Sequence, residues 1–259
     1  MDDDFDDGWD MSARLVNGRW VERSPRDPSL APQARREARF LPWLAPQLPL
    51  PVPVPFIASE NPLVLRHAYL PGSRCAGTSP VQGRAVGEFL VALHSVDAAA
   101  AVAHGLQDGE SAHAARQRSL DRLEAMVLPR LPTDLHPTAH ELLARLRHLA
   151  TGTCPVHADL GLDHIRVTGE TVTGIIDWGD SCVGDPALDL SATIHGAGPA
   201  FANGVVESYR PTPELLERAG DWHRLAPWDE VLFGLDTQDN GLVNSGLTEA
   251  IARLETNRV

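Results

Sequence analysis

Between Cys154 and Ser191 the chain reads CPVHADLGLDHIRVTGETVTGIIDWGDSCVGDPALDLS, and three of its residues, Asp159, His164 and Asp177, could together manage a metal-bound phosphate. Asp159 opens a loop that closes at His164. Ile165 to Thr168 and Thr171 to Ile176 are rich in β-branched residues and are split by Gly169-Glu170, a Gly-first pair suited to a type II′ turn, so they predict a hairpin. Its return strand brings Asp177 back beside His164. With Thr168 and Thr171 flanking the turn, Asp177 falls about two residues past the point opposite His164, roughly 7 Å at strand rise. Mg²⁺ is a hard cation that seldom takes a full protein cage and usually bridges one or two carboxylates to substrate phosphates. Asp159 is then free to orient a substrate hydroxyl and accept its proton.

The elements that must hold this hairpin are legible on both sides of it. Val86, Phe89, Leu90 and Leu93 recur at the i, i+3, i+4, i+7 spacing of a buried helix face. Thr138 with Glu141 forms a capping-box pattern ahead of Leu142, Leu143, Leu146 and Leu149, a second amphipathic helix that leads into the hairpin. Thr212-Pro213 starts a further helix, and Leu247, Ile251 and Leu254 mark the last one. Before these, short strands, one helix around Gln33 to Ala45 and the strip LPLPVPVPF, which cannot be helical, fill residues 12–64. Leu63-Val64-Leu65 reads as a last strand, followed by a connector from Arg66 to Gly72. No internal repeat is visible, and Ala98 to Ala103 is the only low-complexity stretch.

HADLGLDH followed by IIDWGD resembles the catalytic loop and metal-binding aspartate of the aminoglycoside phosphotransferase family, whose fold is similar to that of protein kinases. The family commonly writes the loop as HGDLxxxN. The resemblance therefore implies that Asp159 is the catalytic base, that His164 stands where the family has a metal-holding Asn, and that Asp177 holds the metal. Histidine at that position is also the form associated with the branch that includes macrolide phosphotransferases and some aminoglycoside kinases. His157 is expected to orient the loop through hydrogen bonds, and GDPALDLS, with Asp185 and Asp189, to be scaffold. GWDMSARLVNGRWVERSPR resembles the family's first strands, which fold over the nucleotide. A basic residue on the third strand there contacts phosphates and pairs with a helix glutamate; here the candidates are Arg23 and Glu37. In the family the backbone of this connector contacts the purine, which implicates Leu65, Arg66 and His67. The implied fold is α+β, protein-kinase-like and two-lobed: a small, shortened β-rich nucleotide lobe over residues 1–70, and a larger, mainly helical catalytic and substrate-binding lobe over 71–259.

Composition removes several rivals. All 22 basic residues are arginines, so the chain has no lysine. A Walker A loop, a pyridoxal-phosphate Schiff base and a biotin or lipoyl carrier each need one. No GxGxxG is present to support a Rossmann site. Arg23 keeps the charge of the usual lysine but is longer and planar, so the exchange is not conservative. No apolar stretch approaches the roughly 20 residues of a membrane helix. MDDDFDDGWD, with six aspartates in ten residues, is the opposite of a signal peptide and reads as a solvated end. A cytoplasmic protein, monomer or homodimer, is expected. Cys75, Cys154 and Cys182 form no CxxC pair and are expected to be reduced and buried. The net charge of −13 disfavours nucleic acid and is compatible with a cationic ligand.

Substrate recognition in the family is attributed to the C-terminal helical part. The acids and aromatics there are Asp180, Asp221, Trp222, Trp228, Asp229, Glu230, Asp236 and Asp239, a supply for binding ammonium groups and stacking on sugar rings. The first six are taken as candidate substrate residues. The expected activity is transfer of the γ-phosphate of ATP or GTP, with Mg²⁺, to a hydroxyl of a small-molecule antibiotic. An aminoglycoside or other cationic antibiotic leads; a macrolide or a small metabolite is the alternative. Two other classes stay in view. Gly179-Asp180-Ser181 matches the GDS element of a serine hydrolase group, although DWH at 221–223 has the wrong spacing for its partner motif. A non-catalytic nucleotide-binding relative is the other, prompted by Arg23.

Overall fold

The computed structural model describes residues 3–5 and 10–256. Apart from residues 3–5 and Asp10, the acidic start expected to be a solvated end lies outside the described residues. The chain begins with β1 (Asp3–Phe5), β2 (Met11–Val16) and β3 (Trp20–Pro25), then α1 (Ala31–Leu44), β4 (Phe56–Glu60) and β5 (Leu63–Ala68). These strands form one antiparallel sheet in the order β1-β2-β3-β5-β4. Arg23 lies on β3 and pairs in register with Leu65. Ala34 of α1 packs with Leu63 and Leu65 under the sheet in a small core of its own. The last strand runs three residues further than expected, because Arg66, His67 and Ala68 continue the ladder with β3. The connector therefore begins at Tyr69.

Beyond it come β6 (Ser73–Arg74), α2 (Pro80–His94), α3 (Ala98–Ala103), α4 (Gly109–Met126) and α5 (His136–Arg147). Val86, Phe89, Leu90 and Leu93 are all fully buried on α2, as their spacing predicts. α5 starts earlier than the Thr138 capping box implies: Pro137 occupies its first turn, and no side chain caps it. Proline has no N–H to satisfy there, so the helix can begin without Thr138. The next strands are β7 (Cys154–Val156), β8 (Ile165–Thr168), β9 (Thr171–Ile175) and β10 (Cys182–Gly184), of which β8 and β9 form the expected hairpin. β6, β8 and β9 make one small sheet and β7 with β10 another. The chain ends with α6 (Ala187–Leu190), α7 (Pro199–Tyr209), α8 (Pro213–Thr237) and α9 (Asn240–Glu255). Thr212 caps α8 through its hydroxyl, as Thr212-Pro213 predicts.

One large apolar core joins α2, α4, α5, α7, α8 and α9 to the hairpin, and it also takes in Phe40, Leu41 and Leu44 of α1 and Val52 of the proline strip. That strip runs extended beside the hairpin, where Ile175 N donates to Pro51 O at 2.9 Å. Among the described residues, no helix is long and apolar enough to cross a membrane. The three cysteines are free thiols; Cys75 and Cys182 are buried and Cys154 is half-buried.

Candidate active site

Three local devices bring the sequence-predicted residues together. The first is a β-bulge. Thr168 faces Thr171 and Val167 faces Val172, but Arg166 then faces Gly174 and Ile165 faces Ile175, so Thr173 is an extra residue. Asp177 therefore lies only one position past the point opposite His164, where a regular hairpin would leave two. His164 Nε2 comes within 3.7 Å of Asp177 Oδ2. Gly169 has φ +57 at the turn while Glu170 stays at negative φ, the pattern of a Gly-first turn.

The second device is backbone in the left-handed region at two residues that carry side chains, Ala158 (φ +69) and Asp177 (φ +64). Such residues persist only where their surroundings hold them. Asp189, fully buried, accepts hydrogen bonds from the N–H groups of His157 (2.9 Å) and Ala158 (2.8 Å). On the Asp177 side, Gln33 of α1 donates to Gly179 O at 2.8 Å.

The third is Arg23. Its Nη1 donates to Glu37 Oε1 at 2.6 Å and its Nη2 to Asp177 Oδ1 at 3.1 Å, so one guanidinium ties the sheet, α1 and the Asp177 loop together. The planar fork lets arginine serve two carboxylates at once, which a lysine ammonium does less well.

Asp159, His164 and Asp177 meet on the floor of a cleft of about 830 Å³ between the sheet and the helical part. Burial pushes Asp159 up to about 7, with Asp180, Asp177 and Asp163 adding to it and His164 opposing. Burial alone would lower His164, but Asp159, Asp163 and Asp177 outweigh it and raise it. For Asp177 burial is outweighed by Arg23, His164 and His157, so its carboxyl stays below the usual range. His164 Nδ1 lies 2.7 Å from Asp159 O and donates to it, leaving Nε2 turned toward Asp163 and Asp177, each 3.7 Å away. Among the described residues no cluster of three or more His, Cys, Asp or Glu side chains forms a metal cage. The donor set suits a cation that takes only one or two protein carboxylates and completes its shell with phosphates, as Mg²⁺ does.

His157 is fully buried against Trp178 and its Nε2 donates to Ile176 O at 2.9 Å, so its ring braces the loop from beneath. Burial holds it below the ordinary histidine value. His67 lines the cleft, and its Nδ1 donates to Ala68 O at 2.8 Å. Burial pushes it down to about 4. Of the other two residues expected at the purine, Leu65 and Arg66, neither lines the cleft. Leu65 is sealed in the small core, and Arg66 is tied to Glu22, which Arg14 also holds. Alternation puts Leu65 and His67 on one face of β5 and Arg66 on the other, and of the three only His67 lines the cleft, because Leu65 is covered by Ala34.

Of the six candidate substrate residues, Asp180, Trp222, Asp229 and Glu230 line the cleft. Asp221 and Trp228 do not. Asp221 is buried and neutralised by Arg145 (2.8 Å) and Arg224 (2.7 Å), and Trp228 is fully buried in the core. Asp236 pairs with Arg122 and Asp239 caps α9. Burial raises Asp180, and it pushes Asp229 to about 6. Three lining residues had no sequence signal: Asp10, Tyr69 and Arg116, whose guanidinium lies 5.1 Å from the centre of the Trp222 ring. Only packing brings them there. Ser181 of the GDS element donates its hydroxyl to Trp178 O at 2.8 Å, and among the described residues no histidine is hydrogen-bonded to it, so the hydrolase reading finds no nucleophile–base pair there.

A kinase-like fold with this constellation defines a phosphotransferase. The model of the phosphotransferase enzyme family matches residues 4–228, and the chain belongs to that family. Among solved structures it is similar to the GDP and kanamycin complex of APH(2")-IIIa, with 20% identity, a TM-score of 0.85, and coverage of 100% of this chain and 94% of that one. It is also similar to macrolide 2'-phosphotransferase MphH from Brachybacterium faecium (25% identity, TM-score 0.74, 96% and 92% covered). A type I macrolide 2'-phosphotransferase matches at 24% identity and TM-score 0.75, covering 98% and 90%. No curated protein matches the chain.

Proposed function

We propose that this protein transfers the γ-phosphate of ATP or GTP to a hydroxyl of a cationic small-molecule antibiotic, in the cytoplasm where nucleoside triphosphates are available. The observation that carries this reading is the convergence of Asp159, His164 and Asp177 on one cleft floor, opposite the Arg23–Glu37 pair. Asp159 lies on the cleft floor, raised toward neutrality by its desolvated setting and the acids around it, as a residue that accepts a hydroxyl proton should be. Arg23 presents a fixed positive charge beside Asp177, where triphosphate oxygens would lie. Asp177 and His164 would hold Mg²⁺, which when bound neutralises charge on the transferring group. His157, Asp189 and Gln33 keep the two loops in place. Little covalent work is left to the protein, since phosphoryl transfer needs mainly placement and charge neutralisation.

The acceptor side of the cleft combines the carboxylates of Asp180, Asp229 and Glu230 with the apolar surfaces of Leu188, Trp222 and Leu225. Carboxylates favour an acceptor with ammonium groups. The apolar strip, together with the Arg116 charge, favours a second reading in which the acceptor is a macrolide, a large apolar ring bearing a single ammonium. Release of nucleoside diphosphate, measured by a coupled assay against aminoglycosides, macrolides and basic peptide antibiotics with each nucleotide, tests both. Turnover with no member of the panel would refute the antibiotic acceptor.

A further inference from the structure

Asp189 is held from behind as well as in front. His94 Nε2 lies 3.0 Å from Asp189 Oδ2, and His94 Nδ1 lies 2.8 Å from the Tyr209 hydroxyl. An ionised carboxylate only accepts, so Nε2 carries the hydrogen and donates it. The relay thus runs from Tyr209 through His94 to the buried Asp189, and from Asp189 to the N–H groups of His157 and Ala158. Its far end is the residue directly before Asp159.

The two ends of the relay are built in by helix packing. His94 ends α2 and Tyr209 ends α7, and the helices run parallel in backbone contact. A Cβ at Gly83 would lie 2.1 Å from Phe201 O, and one at Gly204 would lie 2.4 Å from Pro80 O, so no larger residue fits at either position. That close crossing carries the two C-terminal residues together. At the other end, Ala158 holds a conformation that glycine takes freely and alanine resists. The two N–H bonds to Asp189 are what hold it, and they keep their direction only if the carboxylate keeps its own.

We propose that His94 is a positioning residue for phosphoryl transfer: by fixing Asp189 it keeps Ala158 in its left-handed conformation and so aims Asp159 at the acceptor hydroxyl. The proposal rests on the reading of Asp159 as the base. His94→Leu removes the donor, whereas His94→Gln keeps an N–H donor in its place. His94→Leu should lower kcat on the order of 10- to 100-fold, the cost of a misplaced catalytic group. Nucleotide Kd should stay within about threefold, because the loss is confined to the transition state. Adding Ala158→Gly to His94→Leu should restore most of kcat, since glycine needs no clamp to hold that turn. His94→Gln should stay near wild type. A folded His94→Leu protein with unchanged kcat overturns the proposal, and so does a loss that Ala158→Gly does not restore. If His94→Leu fails to fold, Tyr209→Phe decides: a kcat loss restored by Ala158→Gly supports the relay, and unchanged kcat overturns it. Amide hydrogen exchange over residues 156–160 gives a readout that needs no turnover, so it stays legible even if no acceptor in the panel is phosphorylated. Faster exchange there in His94→Leu is expected, and unchanged exchange refutes the relay.

Discussion

Arg23 holds two carboxylates, and removing it separates what each contact does. The Glu37 side chain is 3% exposed and that of Arg23 10%, so the pair is out of water, whereas Asp177 at 44% is not. Arg23→Leu leaves Glu37 as a buried charge without a partner, which costs about 3–5 kcal/mol. At about 2–4 °C per kcal/mol for a chain of this size, Tm should fall by about 6–20 °C. Replacing both residues, Arg23→Leu with Glu37→Leu, removes the orphaned charge and should return Tm to within about 4 °C of wild type, because apolar pairs often substitute for buried ion pairs without loss. The double variant should still bind Mg²⁺-nucleotide poorly, since the charge beside Asp177 is gone. Arg23→Lys tests the fork itself: a point charge can serve Glu37 but leaves Asp177 Oδ1 without its donor. Thermal denaturation gives the first quantity, and calorimetric titration with ATP and GTP in Mg²⁺ gives the second. An Arg23→Leu protein that melts like wild type would refute the ion-pair argument. Wild-type nucleotide affinity in the double variant would refute the role of Arg23 at the phosphates.

Asp159→Asn should lower kcat on the order of 10²-fold or more with nucleotide binding intact, as expected for loss of a base. Because Asp159 in the folded protein is raised from 3.8 to about 7, the native state takes up a proton over that range; stability therefore falls as pH rises from about 4 to about 7, and Asp159→Asn should flatten that slope in pH-dependent denaturation. Asp177→Ala should abolish Mg²⁺-dependent nucleotide binding, whereas His164→Asn should keep activity; complete loss in a folded His164→Asn protein would mean that an imidazole is required. For a polycationic acceptor, three carboxylates opposed by Arg116 imply a KM that rises severalfold between low and moderate salt with kcat nearly constant, at about 0.2–1 kcal/mol per exposed pair. Flat salt dependence with activity confined to macrolides would assign those acids to solubility.

What was legible in the sequence was whatever depends on neighbours along the chain. The turn at Gly169-Glu170, the buried face of α2 and the Thr212 cap need only local spacing and local chemistry, and the structure has all three. The Thr173 bulge was not legible, because an extra residue in a strand leaves the β-branched pattern intact while shifting every partner beyond it. Asp221 shows a different limit. An acid on a long helix is compatible with a pocket wall or with an ion pair, and only the approach of Arg145 from α5 decides between them. Arg66 was misplaced for a related reason: where a strand ends depends on its partner, and Glu22 on β3 keeps Arg66 in the ladder. His94 carries no signal in its own stretch of sequence, because its partners sit 95 and 115 residues away.

The residues proposed to carry the chemistry are also those where local preference is overruled. Ala158 and Asp177 sit in left-handed backbone that their side chains disfavour, and Asp159, Asp177, Asp163 and Asp180 crowd like charges around a single histidine. Each conflict would relax if nothing held it, because an alanine can leave the left-handed region and a carboxylate can turn to water. Each has its own support in the protein: Asp189 under Ala158, Gln33 and Arg23 around Asp177, and His164 beside Asp159. Apart from His164, which belongs to the motif loop itself, those supports come from α1, β3 and α6, three separate parts of the chain. The catalytic geometry is therefore a property of the assembled fold, and the hairpin that spells out the motif would not hold it alone. It follows that substitutions of the supports, which never touch a substrate, should lower turnover before they lower nucleotide affinity, whereas substitutions in the helical core should lower stability and leave the ratio of the two unchanged.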